Sequence, residues 1–137
     1  MKHNLFLMIL AMVLAGLLSS MYVWADRLEH VFISLNDIYM IILMIGWKLL
    51  FMQFFGLENY GTIGFILILV GIFCIRKQLF ISKRQYAIGM IPHHSMAIYM
   101  SKKLLEKDAK IEEDRKRFLN NLINLQEDEI KLLKKWI

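Results

Sequence analysis

The sequence predicts an all-α protein in which three transmembrane helices are followed by an amphipathic helical hairpin. Three long apolar stretches lie in the first 80 of the 137 residues, and 58% of the chain is hydrophobic, above the roughly 45–50% typical of soluble domains. Residues 82–137 instead place apolar side chains at helical spacing among charged ones. We therefore predict two domains, a membrane anchor at 1–80 and a hairpin domain at 82–137.

The anchor is expected to cross the lipid bilayer at about 5–24, 38–55 and 60–80. Residues 5–24 are uncharged, and twenty such residues span a hydrocarbon core of about 30 Å. They also resemble a signal peptide, but their apolar run exceeds the roughly 7–15 residues of a signal core, which favours a retained anchor. Lys48 interrupts the second stretch. A charge within a span can mark a functional site. Alternatively, the long Lys48 side chain extends to the membrane surface beside Trp47.

The hairpin domain begins with a helix start signal. Ser82 and Gln85 fit a capping box for a helix that runs to about Lys107. Pro92 lies ten residues into that helix, where proline kinks a helix, unless the helix begins at Pro92 itself. A turn around Asp108 leads to a second helix, predicted over 110–136.

The first hairpin helix carries the most informative stretch, MIPHHSMAIYM at residues 90–100. Its helical spacing forms one stripe, which we expect to face inward: Met90, His93, Ala97, Met100 and Leu104. Imidazole binds several transition metals, and thioether sulfur favours Cu(I). A hydrophobic seam with one hydrogen-bonded histidine is the alternative. His94 points about 100° away from His93, toward a third element or a second subunit.

The second helix supplies polar residues to its own apolar stripe, which comprises Leu119, Leu122, Gln126, Ile130, Leu133 and Ile137. Gln126 lies inside this stripe and Glu129 at its margin. Buried polar groups require partners, so we expect Glu129 to contact His93. Such a contact would either ligate or orient a metal site, or form a hydrogen-bond network that fixes the helix register.

These residues resemble the domain of unknown function 305 (DUF305) family, whose pattern M-x-x-H-H-x-x-A-I-x-M is followed by Q-x-x-E-I. The corresponding residues are Met90, His93, His94, Ala97, Ile98 and Met100, then Gln126, Glu129 and Ile130. The resemblance implies a ferritin-like helical bundle and copper, as Cu(I), bound by histidine and methionine. The expected metal ligands are Met90, His93, His94, Met100 and Glu129, with Met96 and Gln126 as weaker candidates.

The chain has one copy of the His-His unit, where soluble members of that family often have two. A hairpin of some 55 residues buries too little surface to be stable alone. We therefore expect a homo-oligomer in which two hairpins form a four-helix bundle, unless the hairpin packs against the loop at 25–37.

Other functional classes are disfavoured. No nucleophile–His–acid set, phosphate loop or zinc spacing predicts an enzyme. Residues 76–137 carry fourteen Lys/Arg against eight Asp/Glu, but the two signs alternate along helices, so no nucleic-acid partner is expected. The alternative to a membrane-anchored copper module is a structural membrane protein whose hairpin mediates oligomerisation or partner recruitment.

The expected location is the cell (inner) membrane, as a multi-pass protein. Arg27, Arg76, Lys77, Lys83 and Arg84 lie on one side of the predicted spans, and the positive-inside rule places that side in the cytoplasm. The resemblance to secreted domains argues for the opposite side. We expect the hairpin domain outside the cytoplasm.

Overall fold

The computed structural model describes residues 4–108 and 110–137, in which every regular element is helical. The predicted all-α class is therefore confirmed. The helices are α1 (Leu5–Leu18), α2 (Leu35–Phe54), α3 (Gly61–Lys77), α4 (Lys83–Lys107) and α5 (Glu113–Leu133), with short 3-10 helices at Met21–Trp24, Leu28–His30 and Lys134–Trp136. The chain forms two compact units, one of 1–20 with 35–81 and the other of 21–34 with 82–137.

Two segments of the described chain, Leu5–Trp24 and Leu35–Phe54, are long and apolar enough to cross a membrane, where the sequence predicted three. The third candidate, α3, has 17 residues and ends at Arg76 and Lys77. At 1.5 Å per residue it is about 26 Å long, short of a hydrocarbon core of about 30 Å. The first segment is also not one continuous helix, because α1 ends at Leu18.

In the first unit, α2 and α3 approach each other through glycine. A Cβ added to Gly64 would lie 2.7 Å from the Gly46 carbonyl oxygen, and one added to Gly46 would lie 2.9 Å from the Gly64 carbonyl oxygen. No side chain fits there, so the two backbones are in direct contact. Small residues at helix contacts permit such close packing.

The second unit is an antiparallel hairpin of α4 and α5 with residues 21–34 packed onto it. Its core comprises Ala87, Ile91, Ile98, Ile130 and Leu133, with Phe32 packed against them. Residues 21–34, which the sequence assigned to the anchor, thus supply apolar surface to the hairpin. We call this segment the strap.

The start of α4 agrees with its sequence signal. The Ser82 hydroxyl accepts a hydrogen bond from the Gln85 N–H at 3.3 Å, as expected of an N-cap serine. Pro92 lies inside the helix and is buried, so the alternative that the helix begins at Pro92 is wrong. The helix α5 begins at Glu113, three residues later than predicted, and its last turn continues as the 3-10 helix to Trp136.

Candidate functional site

The buried face of α4 is not the stripe that contains His93. The fully or nearly fully buried residues are Ala87, Ile88, Ile91, Pro92, Ser95, Ile98 and Ser101. Two stripes of helical period run along this helix, and they differ in the side chains that they offer to the core. The stripe without His93 offers three isoleucines and two small hydroxyls, so it forms the inner face. The predicted inward position of His93 is wrong.

The predicted stripe lies largely on the opposite side of the hairpin. His93 is exposed, Met100 is 54% exposed and Leu104 is 47% exposed. Met90 and Ala97 are partly buried, and Met90 packs against the core. The thioethers of Met90 and Met100 therefore have different surroundings, one apolar and one open to solvent. Met96 is partly buried as well.

His94, rather than His93, contacts the second helix. Its Nδ1 atom lies 2.9 Å from Glu129 Oε2, and the His94 side chain is only 12% exposed. Gln126 Nε2 donates to the same carboxylate oxygen at 3.1 Å. The predicted Glu129–His93 contact is therefore wrong by one residue, because α4 is rotated so that its isoleucine stripe faces inward.

The enclosed nitrogen of His94 is unusual. Although Glu129 is close, His94 Nδ1 makes no hydrogen bond of acceptable geometry. Buried polar atoms are normally hydrogen-bonded, and an exception requires an explanation such as an ion or a functional role. The His93 ring lies beside that of His94, with a centroid separation of 6.0 Å and an angle of 81° between the rings.

The site thus combines two adjacent imidazoles with one carboxylate. Among residues 4–108 and 110–137, no three His, Cys, Asp or Glu side chains converge closely enough to hold a metal ion as they stand. A site here needs ligands of another type, such as a methionine sulfur, or a rotation of the exposed His93 side chain. Imidazole and thioether are both ligands for copper.

A second polar cluster fastens the strap to α4. Ser95 is fully buried, and its Oγ accepts a hydrogen bond from the Asp26 N–H at 2.8 Å. The same Oγ lies 2.9 Å from Nδ1 of His30, which is 5% exposed. The other ring nitrogen of His30, Nε2, lies 3.3 Å from Glu29 Oε1. One hydroxyl of α4 therefore satisfies two buried groups of the strap.

Ion pairs complete this attachment. Lys102 Nζ on α4 lies 2.8 Å from Asp26 Oδ2, and Lys134 Nζ beyond α5 lies 3.1 Å from Glu29 Oε1. A cavity of about 190 Å³ remains between the strap and α5, with Ile98 and Ile130 among its lining residues. The strap is thus held by both helices of the hairpin.

Burial perturbs the titration of His30. Removal of the imidazole from water lowers its pKa from the ordinary value of 6.5, and the positive charges of Lys134 and Arg27 act in the same direction. The carboxylates of Glu29 and Asp26 oppose this shift. The pKa of Glu29 is lowered, chiefly by its hydrogen bond with Lys134.

This second cluster was not predicted from the sequence. A hydroxyl at Ser95 among isoleucines at helical spacing was a usable signal, because a polar group on an apolar face needs a partner. Nothing local identified that partner, since Asp26 and Ser95 are 69 residues apart in the chain.

Comparisons with known proteins identify the family. The family described as domain of unknown function (DUF305) matches residues 80–137, which include α4 and α5. An uncharacterized protein of Acanthamoeba polyphaga mimivirus is 38% identical over 132 residues, covering 90% of this chain and 84% of that protein. No solved structure matches the chain. The chain therefore belongs to the DUF305 family, and its match to the viral relative extends through most of its length.

Proposed function

We propose that this protein is a membrane-anchored metal-binding module whose metal is copper. The observation that carries the proposal is the enclosed His94 Nδ1 atom, which is 2.9 Å from Glu129 and makes no hydrogen bond. An enclosed imidazole nitrogen with no hydrogen-bond partner, beside a carboxylate and a second imidazole, is suited to receive a cation.

The chemistry of the proposed ligand atoms favours some metals over others. His93 and His94 would ligate, and Glu129 would either ligate or orient His94. Met90 and Met100 would supply thioether sulfur, which favours Cu(I) over Zn(II), while Met96 and Gln126 are weaker candidates. His93 and Met100 are exposed, so they are accessible to an incoming ion without opening of the core.

Thermal unfolding of the purified full chain in detergent tests metal binding. Cu(I) or Ag(I), added anaerobically for Cu(I), should raise the unfolding temperature, and Zn(II) should have a smaller effect. A metal at one hundred times its dissociation constant stabilises the folded state by about 2.7 kcal/mol. The proposal is wrong if none of these ions stabilises the unmodified chain.

Matched variants then locate the site. His93→Ala and His94→Ala should each reduce stabilisation by Cu(I) or Ag(I). Met100→Leu should reduce it more than Met40→Leu, because the two methionines are 54% and 56% exposed but lie in different units. Equal loss in Met100→Leu and Met40→Leu would remove Met100 from the site. Unchanged metal response in both histidine variants would overturn the assignment to His93 and His94.

The second candidate function is oligomerisation or partner recruitment without metal. It is supported by exposed apolar side chains on the hairpin, including Phe118, Leu125 and Leu132, which are 63%, 58% and 52% exposed. Loss of self-association on substitution of these residues, together with an absence of any metal response, would favour this function over copper binding.

Membrane attachment through the first unit is also part of the proposal. The segments Leu5–Trp24 and Leu35–Phe54 support it by length and composition, although residues 21–24 also belong to the strap. Because the strap packs against the hairpin, both must lie on one side of the membrane, so in this proposal α3 crosses as well as α2. We propose that residues 82–137 lie outside the cytoplasm, as a multi-pass protein of the cell membrane. Alkaline phosphatase fused after Ile137 should then be active. A second fusion after Glu58 tests α3, because the two fusions report opposite sides only if α3 crosses.

A further inference from the structure

The side of the hairpin opposite the strap presents several exposed apolar side chains. On α4, Ser95 contacts the strap, and His93 is two residues away, which is about 200° around the helix. The exposed residues on the His93 side are Tyr86, His93, Met100 and Leu104 of α4, and Phe118, Leu125, Leu132 and Trp136 of α5. We call this surface the outer face. The rings of Tyr86 and Trp136 lie 6.2 Å apart, so the two helices contribute to one surface.

The outer face repeats every seven residues. Tyr86, His93 and Met100 follow this spacing on α4, and Phe118, Leu125 and Leu132 follow it on α5. Seven-residue spacing of apolar positions is the pattern by which helices pack side by side over their whole length. A second pair of helices with the same spacing would therefore fit along this face.

The charges of α5 indicate what that second pair is. Four blocks of one sign follow along the helix: acidic at 112–114, basic at 115–117, acidic at 127–129 and basic at Lys131, Lys134 and Lys135. When α5 is reversed about its midpoint near Leu122, the basic block 115–117 falls opposite the acidic block 127–129, and Lys131 falls opposite the acidic block 112–114, whereas Lys134 and Lys135 fall beyond that block. A parallel pairing would instead place like charges together, which is destabilising.

Some of these charges already pair within α5, but others do not. Arg115 pairs with Glu112 and Lys131 pairs with Asp128. Asp114 and Arg117 make no ion pair in the described part of the chain, and both are exposed. In the reversed arrangement Arg117 faces Asp128 of a second copy, and Asp114 faces Lys131 of that copy.

From this complementarity we propose that the outer face binds a second copy of this chain, with each α5 antiparallel to the α5 of the other copy. The two-fold axis passes beside Leu122. The contacts His94–Glu129 and Tyr86–Trp136 define the register of α4 along the antiparallel α5. In this register Met100 lies at the same height along the helix axes as Leu122. Met100 of one copy therefore lies near Met100 of the other. The interface covers His93 and Met100 of the proposed copper site but does not require metal, so it is tested in the absence of metal.

Cysteine cross-linking of the full chain in detergent tests this geometry. In a Cys74→Ser background, Met100→Cys and Leu125→Cys should form covalent dimers with a short bismaleimide, because both residues are exposed and lie within about three residues of the axis. Leu132→Cys is the matched control, since it is 52% exposed but about ten residues from the axis. Its two copies would be about 30 Å apart. Equal cross-linking at all three positions would indicate a parallel or non-specific association and overturn the proposal.

A charge exchange provides the second test. Arg117→Glu should raise the dimer dissociation constant, and so should Asp128→Arg, when each is measured by light scattering or sedimentation without metal. The double variant restores the opposite charges. The logarithm of its dimer dissociation constant should therefore return at least halfway to that of the unmodified chain. A double variant as weak as the product of the two single effects would contradict the pairing. A monomeric unmodified chain at high concentration would also overturn it.

Discussion

The inner and outer faces of the hairpin use opposite stripes of α4, and they differ in how far they are covered. The inner face of α4 buries isoleucines and covers them with the strap, and its single central hydroxyl, Ser95, is satisfied twice. The outer face leaves His93 and Met100 exposed. The difference shows that the inner face is covered within the chain, whereas the outer face leaves an imidazole, a thioether and apolar area open to solvent.

The largest expected effect is the difference in stability lost when a buried residue of the inner face and an exposed residue of the outer face are each replaced by alanine. Ile98 is 1% exposed and Met100 is 54% exposed. Ile98→Ala should lower the free energy of unfolding by about 2–5 kcal/mol, because it leaves a cavity. Met100→Ala, measured without metal at a concentration that favours monomers, should cost less than about 1 kcal/mol. Chemical denaturation measures both, and similar losses would contradict the assignment of faces.

The next effect concerns the hydroxyl that fastens the strap. Ser95→Ala removes the partner of the Asp26 N–H and of His30 Nδ1, and an unsatisfied buried group costs about 1–3 kcal/mol. Ser101→Ala is a suitable control, because Ser101 is buried on the same face. Amide hydrogen exchange at Asp26 should accelerate in Ser95→Ala and remain unchanged in Ser101→Ala. Acceleration in both variants would mean that the effect is not specific to the fastening contact.

A smaller effect should appear as a pH dependence of strap attachment. The folded-state pKa of His30 is lowered relative to the ordinary value of 6.5, so the folded state binds a proton less readily than the unfolded state. The stability from neutral His30 is therefore fully present above pH 6.5 and is lost as the pH falls through the lowered pKa. Protease sensitivity of the strap should increase on acidification, and His30→Gln should flatten that dependence. An unchanged pH profile in His30→Gln would contradict this attribution.

The smallest expected effect is that of the surface ion pair between Glu29 and Lys134. Both side chains are substantially exposed, and such pairs contribute little because water and salt screen them. Lys134→Gln should shift the unfolding midpoint by less than Ser95→Ala does, and the difference from the unmodified chain should shrink in high salt. A shift as large as that of Ser95→Ala would mean that ion pairs, not the Ser95 hydroxyl, hold the strap.

Local signals predicted much of the fold but not the rotation of α4. The helix start at Ser82 and the two helices on either side of Asp108 follow from capping and periodicity. His93 was placed on the wrong face because α4 carries two stripes of equal period, and periodicity alone cannot rank them. The strap decided between them, and its contacts join residues far apart in the chain.

The candidate site was predicted in composition rather than in geometry. Glu129 does contact a histidine of the His-His pair, but that histidine is His94, not His93. The length of the third apolar segment was overestimated, because hydropathy alone predicted a span over 60–80. The helix α3 ends after 17 residues, at two charged residues. Sequence patterns thus identified the participants, while three-dimensional packing determined their pairing.

The enclosure of Ser95 has a consequence for chemical reactivity. Glu29, His30 and Ser95 lie in a row as an acid, an imidazole and a hydroxyl, but both the acid and the imidazole belong to the strap. Here the hydroxyl is fully buried and accepts the Asp26 N–H, so an electrophile cannot reach it while the strap is attached. In a Cys74→Ser background, a Ser95→Cys thiol should therefore react with a soluble maleimide only in molecules whose strap has detached, and the extent of labelling would count those molecules.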